Sequence, residues 1–228
     1  MIAAPQPVWS KLMPTLLHVE SSPRKKRSAS LEVARVYLDT YWEVHPDPRI
    51  DVLDLWSTEL PEFDGDTLEA KYADLSGTAF TEGQQKAWSR IRQLAQRLHD
   101  ADTLLFSVPL WNFSIPYKLK HFIDVVSQRN VLFSFDDRGL TGLLRGKNVV
   151  VIYARGLDYS IDSITPAHSF DHQRPFMEAW LRSVGVTDVE SIVVEKTLLG
   201  PEVDHAARQA ACERAVALAR SSAVCAAK

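Results

Sequence analysis

The sequence predicts an α/β fold with a parallel sheet covered by helices on both faces. Three observations carry this. Strand-like and helix-like segments alternate along almost the whole chain, and parallel neighbours need such crossover connections. Two runs, Thr103-Leu104-Leu105-Phe106-Ser107-Val108 and Val149-Val150-Val151-Ile152, have the continuous apolar character of strands buried on both faces. The 228 residues are 46% hydrophobic, enough to bury the core of one large domain.

Taken in order, residues 1–12 are expected to form a short flexible tail, and the domain to run over 13–228 from the Met13-Pro14 start. Thr15 to Glu20 is a short apolar strand. Ser28 to Trp42 has helical spacing, with Leu31, Ala34, Arg35 and Leu38 on one side. Ile50 to Leu55 is a strand interrupted by polar residues, as an edge strand would be. The stretch rich in Pro, Asp, Glu and Gly from Pro61 to Gly83 is expected to be a long surface excursion. Thr81 to Asp100 is an amphipathic helix with Ile91, Leu94, Ala95 and Leu98 on its apolar stripe. After the strand at 103–108, Pro109 breaks the chain and a helix restarts over 116–127, with Pro116 suited to a first turn. Asn148 to Ala154 is the central strand. Gln173 to Val184 is a helix, Val189 to Val194 a strand, and Pro201 to Cys225 a last helix opened by Gly200-Pro201.

Composition excludes several function classes. A formal net charge of -3 argues against nucleic acid or an anionic membrane as a general partner. No run of about eighteen apolar residues is present to span a bilayer. Cys212 and Cys225 lack CxxC spacing, so neither a zinc site nor a disulfide framework is indicated, which fits a reducing cytoplasm. Gly142-Leu143-Leu144-Arg145-Gly146-Lys147 imitates a phosphate loop but has the wrong spacing, lacks a hydroxyl after the lysine, and leads into a strand. His168 and His172 flank Asp171 without an obvious third metal ligand, so no metal is expected. Asp136 and Asp137 read as solvated turn residues, and no G-x-S-x-G elbow is present.

In an open parallel sheet, ligands bind outside the carboxyl ends of the strands. Three loops fall there. The first, Glu20 to Ser30, is rich in serine, carries the basic run Arg24-Lys25-Lys26-Arg27, and enters a helix whose N-terminus favours anions. It contains no glycine, which argues against a dinucleotide pyrophosphate and for a terminal monophosphate. Read alone, the basic run is equally a solvated charge cluster or a localisation signal. The second loop, Pro109 to Ser114, places Trp111 and Phe113 around Asn112; it is either a ligand-binding edge or a connector whose aromatics fill core space. The third, Tyr153 to Asp158, contains Gly156, which permits close approach to a flat ligand, and Arg155, which could equally be an ordinary ion-pair residue.

Together these residues resemble the FMN-dependent NADH-azoreductases, a branch of the flavodoxin-like quinone reductases. The resemblance is strongest in Pro109-Leu110-Trp111-Asn112-Phe113 and the following Ile115 to Asp124. It extends to Val131 to Phe135 with Gly139 and Gly142, to Arg155-Gly156, to Gly185 to Val189 and to Gly200-Pro201-Glu202. It implies a flavodoxin-like three-layer sandwich with strand order 2-1-3-4-5, a homodimer, and one FMN per subunit. By the family's pattern, Ser22, Ser28 and Ser30, with Ala29 between them, would hold the FMN phosphate. Leu110, Trp111, Asn112 and Phe113 would contact the isoalloxazine ring, with Asn112 on its pyrimidine edge. Ala154, Arg155 and Gly156 would border the far edge, and Phe135 would lie beside the flavin.

The substrate cavity would then involve Trp111, Phe113, Phe135 and Leu157. Trp111 replaces the family's tyrosine, Leu157 the second glycine of its Arg-Gly-Gly, and Ala29 a position where relatives can offer a polar side chain. The implied activity is ping-pong, two-electron reduction of quinones and azo compounds by NADH or NADPH, with the flavin rather than any side chain carrying the chemistry. Two other classes remain open: a flavodoxin-like electron carrier, and a flavin-free binding or regulatory module.

Overall fold

A computed structural model describes residues 13–76, 78–137 and 139–225; the predicted tail at 1–12 lies outside them. Five parallel strands form one sheet: β1 (Thr15–Glu20), β2 (Arg49–Asp54), β3 (Thr103–Pro109), β6 (Asn148–Ala154) and β7 (Val189–Val194). Their order is β2-β1-β3-β6-β7, which is the predicted 2-1-3-4-5 for the sheet's own five strands. β4 (Phe133–Asp136) and β5 (Gly139–Gly142) pair separately as an antiparallel hairpin.

Side-chain alternation in the strands divides the core into two layers. Leu104, Phe106 and Val108 of β3 face α3 (Glu82–Asp100), α4 (Tyr117–Val126) and α6 (Gln173–Ser183), where Ile91, Phe122 and Trp180 meet them. Leu105, with Val150 and Ile152 of β6, faces α1 (Ala29–Val44) and α7 (Pro201–Cys225). The Phe106 and Trp180 rings meet edge to face at 5.7 Å, and the Trp180 indole N–H donates to Ser127 Oγ at 2.9 Å.

The helix ends follow local chemistry. Thr81 caps α3 by accepting from the Gln84 N–H while the Gln84 side chain accepts from the Thr81 N–H, a reciprocal capping box. Pro116 is the residue before α4 rather than within it, so the helix runs one residue inside its predicted limits. Gly200 takes φ +114° immediately before Pro201, fixing the start of α7.

Three elements depart from expectation. The excursion from Pro61 to Gly83 contains a helix, α2 (Gly65–Ser76), and α5 (Ala167–Phe170) is a single turn. The hairpin β4–β5 replaces what had read as a polar turn. Its strands have four residues each, too short for a periodic signal.

Candidate functional site

The carboxyl edge of the sheet brings together the loops after β1, β3 and β6. After β1 the chain makes a single 3-10 turn at Lys25–Arg27 and enters α1. Ser21, Ser22, Ser28 and Ser30 are all 3% exposed or less. Ser28 precedes the helix, yet its side chain caps no backbone N–H. The first helical bond runs from the Glu32 N–H to the Ser28 carbonyl at 3.0 Å, so the N–H groups of Ala29, Ser30 and Leu31 have no partner among the described residues. Ser28 Oγ and Ser30 Oγ meet only each other, at 3.2 Å, and Ser22 Oγ accepts a long 3.4 Å bond from the Arg24 N–H. A buried helix start with free N–H groups and under-used hydroxyls has the donors to receive an anion.

The basic run contributes less than its sequence suggested. Lys25 turns back to pair with Glu20 at 3.0 Å and Asp54 at 2.5 Å, leaving Arg24, Lys26 and Arg27 on the exposed turn. Burial alone would raise the Asp54 carboxyl, but bonds from Lys25, Ser57 and the Trp56 N–H hold it below its ordinary value.

After β3, Trp111 and Ser114 exchange N–H···O bonds at 2.8 and 2.9 Å around two residues with positive φ, Asn112 at 46° and Phe113 at 68°. Both signs match a two-residue type I′ turn. Asparagine tolerates this conformation, whereas for phenylalanine it stores strain. The turn persists because both ends are held: Leu110 donates to the Ala154 carbonyl at 2.8 Å, and His172 donates to the Phe113 carbonyl at 2.9 Å. The Phe113 ring packs on Phe170 at 5.2 Å, and no hydrogen bond engages the exposed Asn112 amide among the described residues.

After β6, Arg155 is 5% exposed and its guanidinium is committed to the protein. It pairs with Asp171 at 2.5 Å, donates to Gln173 Oε1 at 3.3 Å and lies over the Tyr159 ring at 5.2 Å. Gln173, fully buried, donates onward to the Val108 carbonyl at 2.8 Å, so Arg155 braces β6, α6 and β3 together. Of the two uses open for Arg155 in the sequence, its side chain takes the ion pair. The Arg155, Gly156 and Leu157 carbonyls accept from Thr197, Leu198 and Lys196, while the N–H groups of Gly156 and Leu157 carry no bond among the described residues.

These features place Ser22, Ser28, Ala29, Ser30, Leu110, Trp111, Asn112, Phe113, Ala154 and Gly156 on one edge. Phe135 is different. It sits on the β4–β5 hairpin, 56% exposed, and no ring contact or hydrogen bond joins it to the three loops among the described residues. A groove of about 840 Å³ shares Trp111, Asn112 and Ser114 with this edge but extends along α4 past Tyr117 and His121, away from the buried serines. Among the described residues no three His, Cys, Asp or Glu side chains are grouped to hold a metal. Asp171, between the two histidines noted in the sequence, is occupied by Arg155.

The family described as having a flavodoxin-like fold matches residues 14–219. FMN-dependent NADH:quinone oxidoreductase 3 of Pseudomonas fluorescens is 54% identical over 209 residues, covering 91% of this chain and 97% of its own. The chain belongs to this flavodoxin-like quinone oxidoreductase family. FMN-dependent NADH:quinone oxidoreductase 9 of Burkholderia lata is 59% identical over 82% of this chain and 90% of its own. An azoreductase from Bacillus anthracis superposes with a TM-score of 0.83 at 26% identity, over 92% of this chain and all of that one. An FMN-dependent NADH-azoreductase from the same species, solved with FMN, gives 0.80 at 26% identity, over 91% of this chain and all of that one.

Within this flavodoxin-like frame the sequence reading passed over two groups. Trp56 follows β2 and reaches the same edge, contacting the Trp111 ring at 5.7 Å and the Tyr117 ring at 5.4 Å. The signal was available: an aromatic directly after a strand's carboxyl end, by the rule already applied to the other strands. Asp171 and Gln173, which hold Arg155, carried a weaker signal. An acidic residue two before a helix can cap it, and Asp171 does accept from the Gln173 and Arg174 N–H groups at 2.9 and 3.0 Å.

Proposed function

We propose that this protein is an FMN-dependent enzyme that uses NADH or NADPH to reduce quinones and aromatic azo compounds by two electrons. The observation that carries the cofactor assignment is the buried, uncapped start of α1 with Ser22, Ser28 and Ser30 around it. A phosphate monoester there would take the free N–H groups and the under-used hydroxyls. The relatives' printed names, FMN-dependent NADH:quinone oxidoreductase and azoreductase, support the donor, the cofactor and the acceptor classes.

FMN, when bound, supplies hydride acceptance from the nicotinamide and two-electron delivery to the acceptor. The chain's own residues do the rest. Leu110 to Phe113 present a preformed turn to the ring. The Asn112 amide, without a partner among the described residues, would meet the pyrimidine edge and set the ring's orientation. Ala154 and Gly156 would border the far side, where the N–H groups of Gly156 and Leu157, without partners among the described residues, would be available to negative charge on the reduced ring. Arg155 acts through the backbone it holds in place. Trp111, Phe113 and Leu157 line the space that donor and acceptor occupy in turn, which gives a ping-pong order.

The exposed aromatics Phe113, Tyr117 and Phe135, at 40%, 62% and 56%, suit burial by a second copy, so we assign a homodimer. No helix among the described residues is long and apolar enough to cross a membrane, and the thiol usage fits the cytoplasm.

The test is an absorption spectrum of gently purified protein, alone, with NADH, then with a quinone and an azo dye. Bleaching by NADH and recovery with either acceptor is expected. A flavin reduced only by a protein donor would make this an electron carrier. Failure to take up FMN at all would leave a binding module.

A further inference from the structure

Trp56 stands outside the three loops yet touches two of them. Its indole N–H donates to the Ser21 carbonyl at 3.0 Å, the sole hydrogen bond to that carbonyl among the described residues. Ser21 is 1% exposed, so without the indole a buried acceptor would go unmatched. The rest of Ser21 is fastened on the opposite side. Its hydroxyl donates to the Ser107 carbonyl of β3 at 2.7 Å, and its N–H to the same oxygen at 3.3 Å. Ser22 comes next in the chain, so the bonds on Ser21 fix where the first phosphate-facing hydroxyl stands.

Trp56 is itself held from β2. Its backbone N–H donates to Asp54 Oδ1 at 3.1 Å, while Asp54 Oδ2 pairs with Lys25 at 2.5 Å on the far limb of the same loop. The Leu55 N–H donates to the Glu20 carbonyl at 3.0 Å. The segment 54–56 thus grips the β1 loop at Glu20, Ser21 and Lys25. On its other side the indole lies 5.7 Å from the Trp111 ring and meets Tyr117 edge-on at 82°. A tryptophan suits this place because one end of the ring is apolar and the other donates.

We propose that Trp56 is a positioning residue that fastens the phosphate loop to the ring loop, setting FMN affinity through Ser21 and the pose of Trp111 through its ring face. This rests on the assignment of the serine loop to the FMN phosphate. Substitutions at Trp56 should separate the two actions. Trp56→Phe keeps a ring but removes the donor; Trp56→Ala removes both.

The experiment titrates FMN into apoprotein by quenching of flavin fluorescence. Trp56→Phe should raise the FMN dissociation constant roughly three- to tenfold, the range for one lost neutral hydrogen bond. Combined with Ser22→Ala, the loss should be smaller than the product of the two single losses, because both act on one loop. In the FMN-loaded enzyme, Trp56→Phe should leave the quinone KM near wild type. Trp56→Ala should raise that KM several-fold with a smaller change in kcat.

A lower apoprotein melting temperature with unchanged FMN affinity in Trp56→Phe would reduce Trp56 to a packing residue and overturn the proposal. Losses that simply multiply would overturn it as well. Should Trp56→Phe fail to fold, Trp56→Tyr, which keeps a ring but places no donor where the indole N–H stands, provides the same comparison. If Ser22→Ala too leaves FMN binding untouched, the phosphate-loop assignment itself fails, a result distinct from failure at Trp56 alone.

Discussion

Arg155 and Asp171 meet at 2.5 Å between the end of β6 and the start of α6, with their side chains only 5% and 6% exposed. A charge pair so buried contributes little against an apolar replacement of both partners, but removing one partner strands the other. The carboxylate also holds the α6 N-terminus through the Gln173 and Arg174 N–H groups. Asp171→Asn should therefore cost about 3–5 kcal/mol in urea unfolding of the apoprotein. A loss below about 1 kcal/mol would mean that Glu195, 3.8 Å from Arg155, takes over the pairing.

Replacing the serines tests the anion site directly. Ser22→Ala or Ser28→Ala removes one hydroxyl that would bond a charged phosphate, worth about 1.5–3 kcal/mol, or roughly tenfold or more in FMN affinity. Fluorescence titration of each apoprotein reads this. Unchanged affinity in both would remove the loop from the cofactor site.

Gly142, at the end of the hairpin, should not tolerate a side chain. A Cβ there would lie 2.0 Å from the Gly185 nitrogen and 2.1 Å from the Val184 carbonyl carbon, and backbone cannot step aside as a flexible side chain would. Gly142→Ala should cost about 2–3 kcal/mol, seen as a fall of roughly 5–10 °C in the melting temperature. A shift under about 2 °C would show that the hairpin can float on α6.

The contrast between these positions explains what was legible in the sequence. The strand Asn148–Ala154 was readable to the residue because an unbroken apolar run bounded by turn residues has few alternatives. The hairpin was not, since its signal lies in a backbone approach between Gly142 and Gly185, 43 residues apart in the numbering, which no local pattern encodes. The three site loops were legible through the carboxyl-edge rule, which is topological. What escaped was which groups were already spoken for. The sequence leaves Lys25 and Arg155 open to a ligand or to an ion pair, and only the fold supplies Asp54 and Asp171 as their partners.

His18 should make the apoprotein acid-sensitive in a distinctive window. It is 2% exposed on β1, with Nε2 bonded to Ser107 Oγ at 2.7 Å and Nδ1 unpartnered. Burial, aided by the nearby Lys25 charge, pushes its pKa from 6.5 down to about 3. The ring is therefore neutral at pH 7, and the 3.8 Å approach of Glu20 is not an ion pair. The unfolded chain binds a proton that the folded one refuses between these values. Stability is thus full above about pH 6.5 and falls by about 1.4 kcal/mol per pH unit as pH drops through the window. Lowered by burial, His45 adds in the same direction. His18→Gln should flatten the slope between about pH 6.5 and 5, above the carboxylate range; an unchanged slope in urea unfolding would show that His18 is protonated in the folded protein.

Asn112 separates backbone from side chain in the ring loop. At φ 46° glycine fits without cost, whereas alanine pays roughly 1–2 kcal/mol for a left-handed conformation that asparagine tolerates better. Asn112→Gly should therefore leave apoprotein stability within about 0.5 kcal/mol of wild type, and Asn112→Ala should lower it by about 1 kcal/mol. Both lose the amide assigned to the pyrimidine edge, so both should weaken FMN by a similar factor, roughly three- to tenfold. Equal stability but wild-type FMN affinity in Asn112→Gly would take the amide out of ring binding and leave the loop's backbone and Trp111 to hold the flavin. A larger affinity loss in the alanine variant than in the glycine one would show that the turn's geometry, rather than the amide, is what the ring reads.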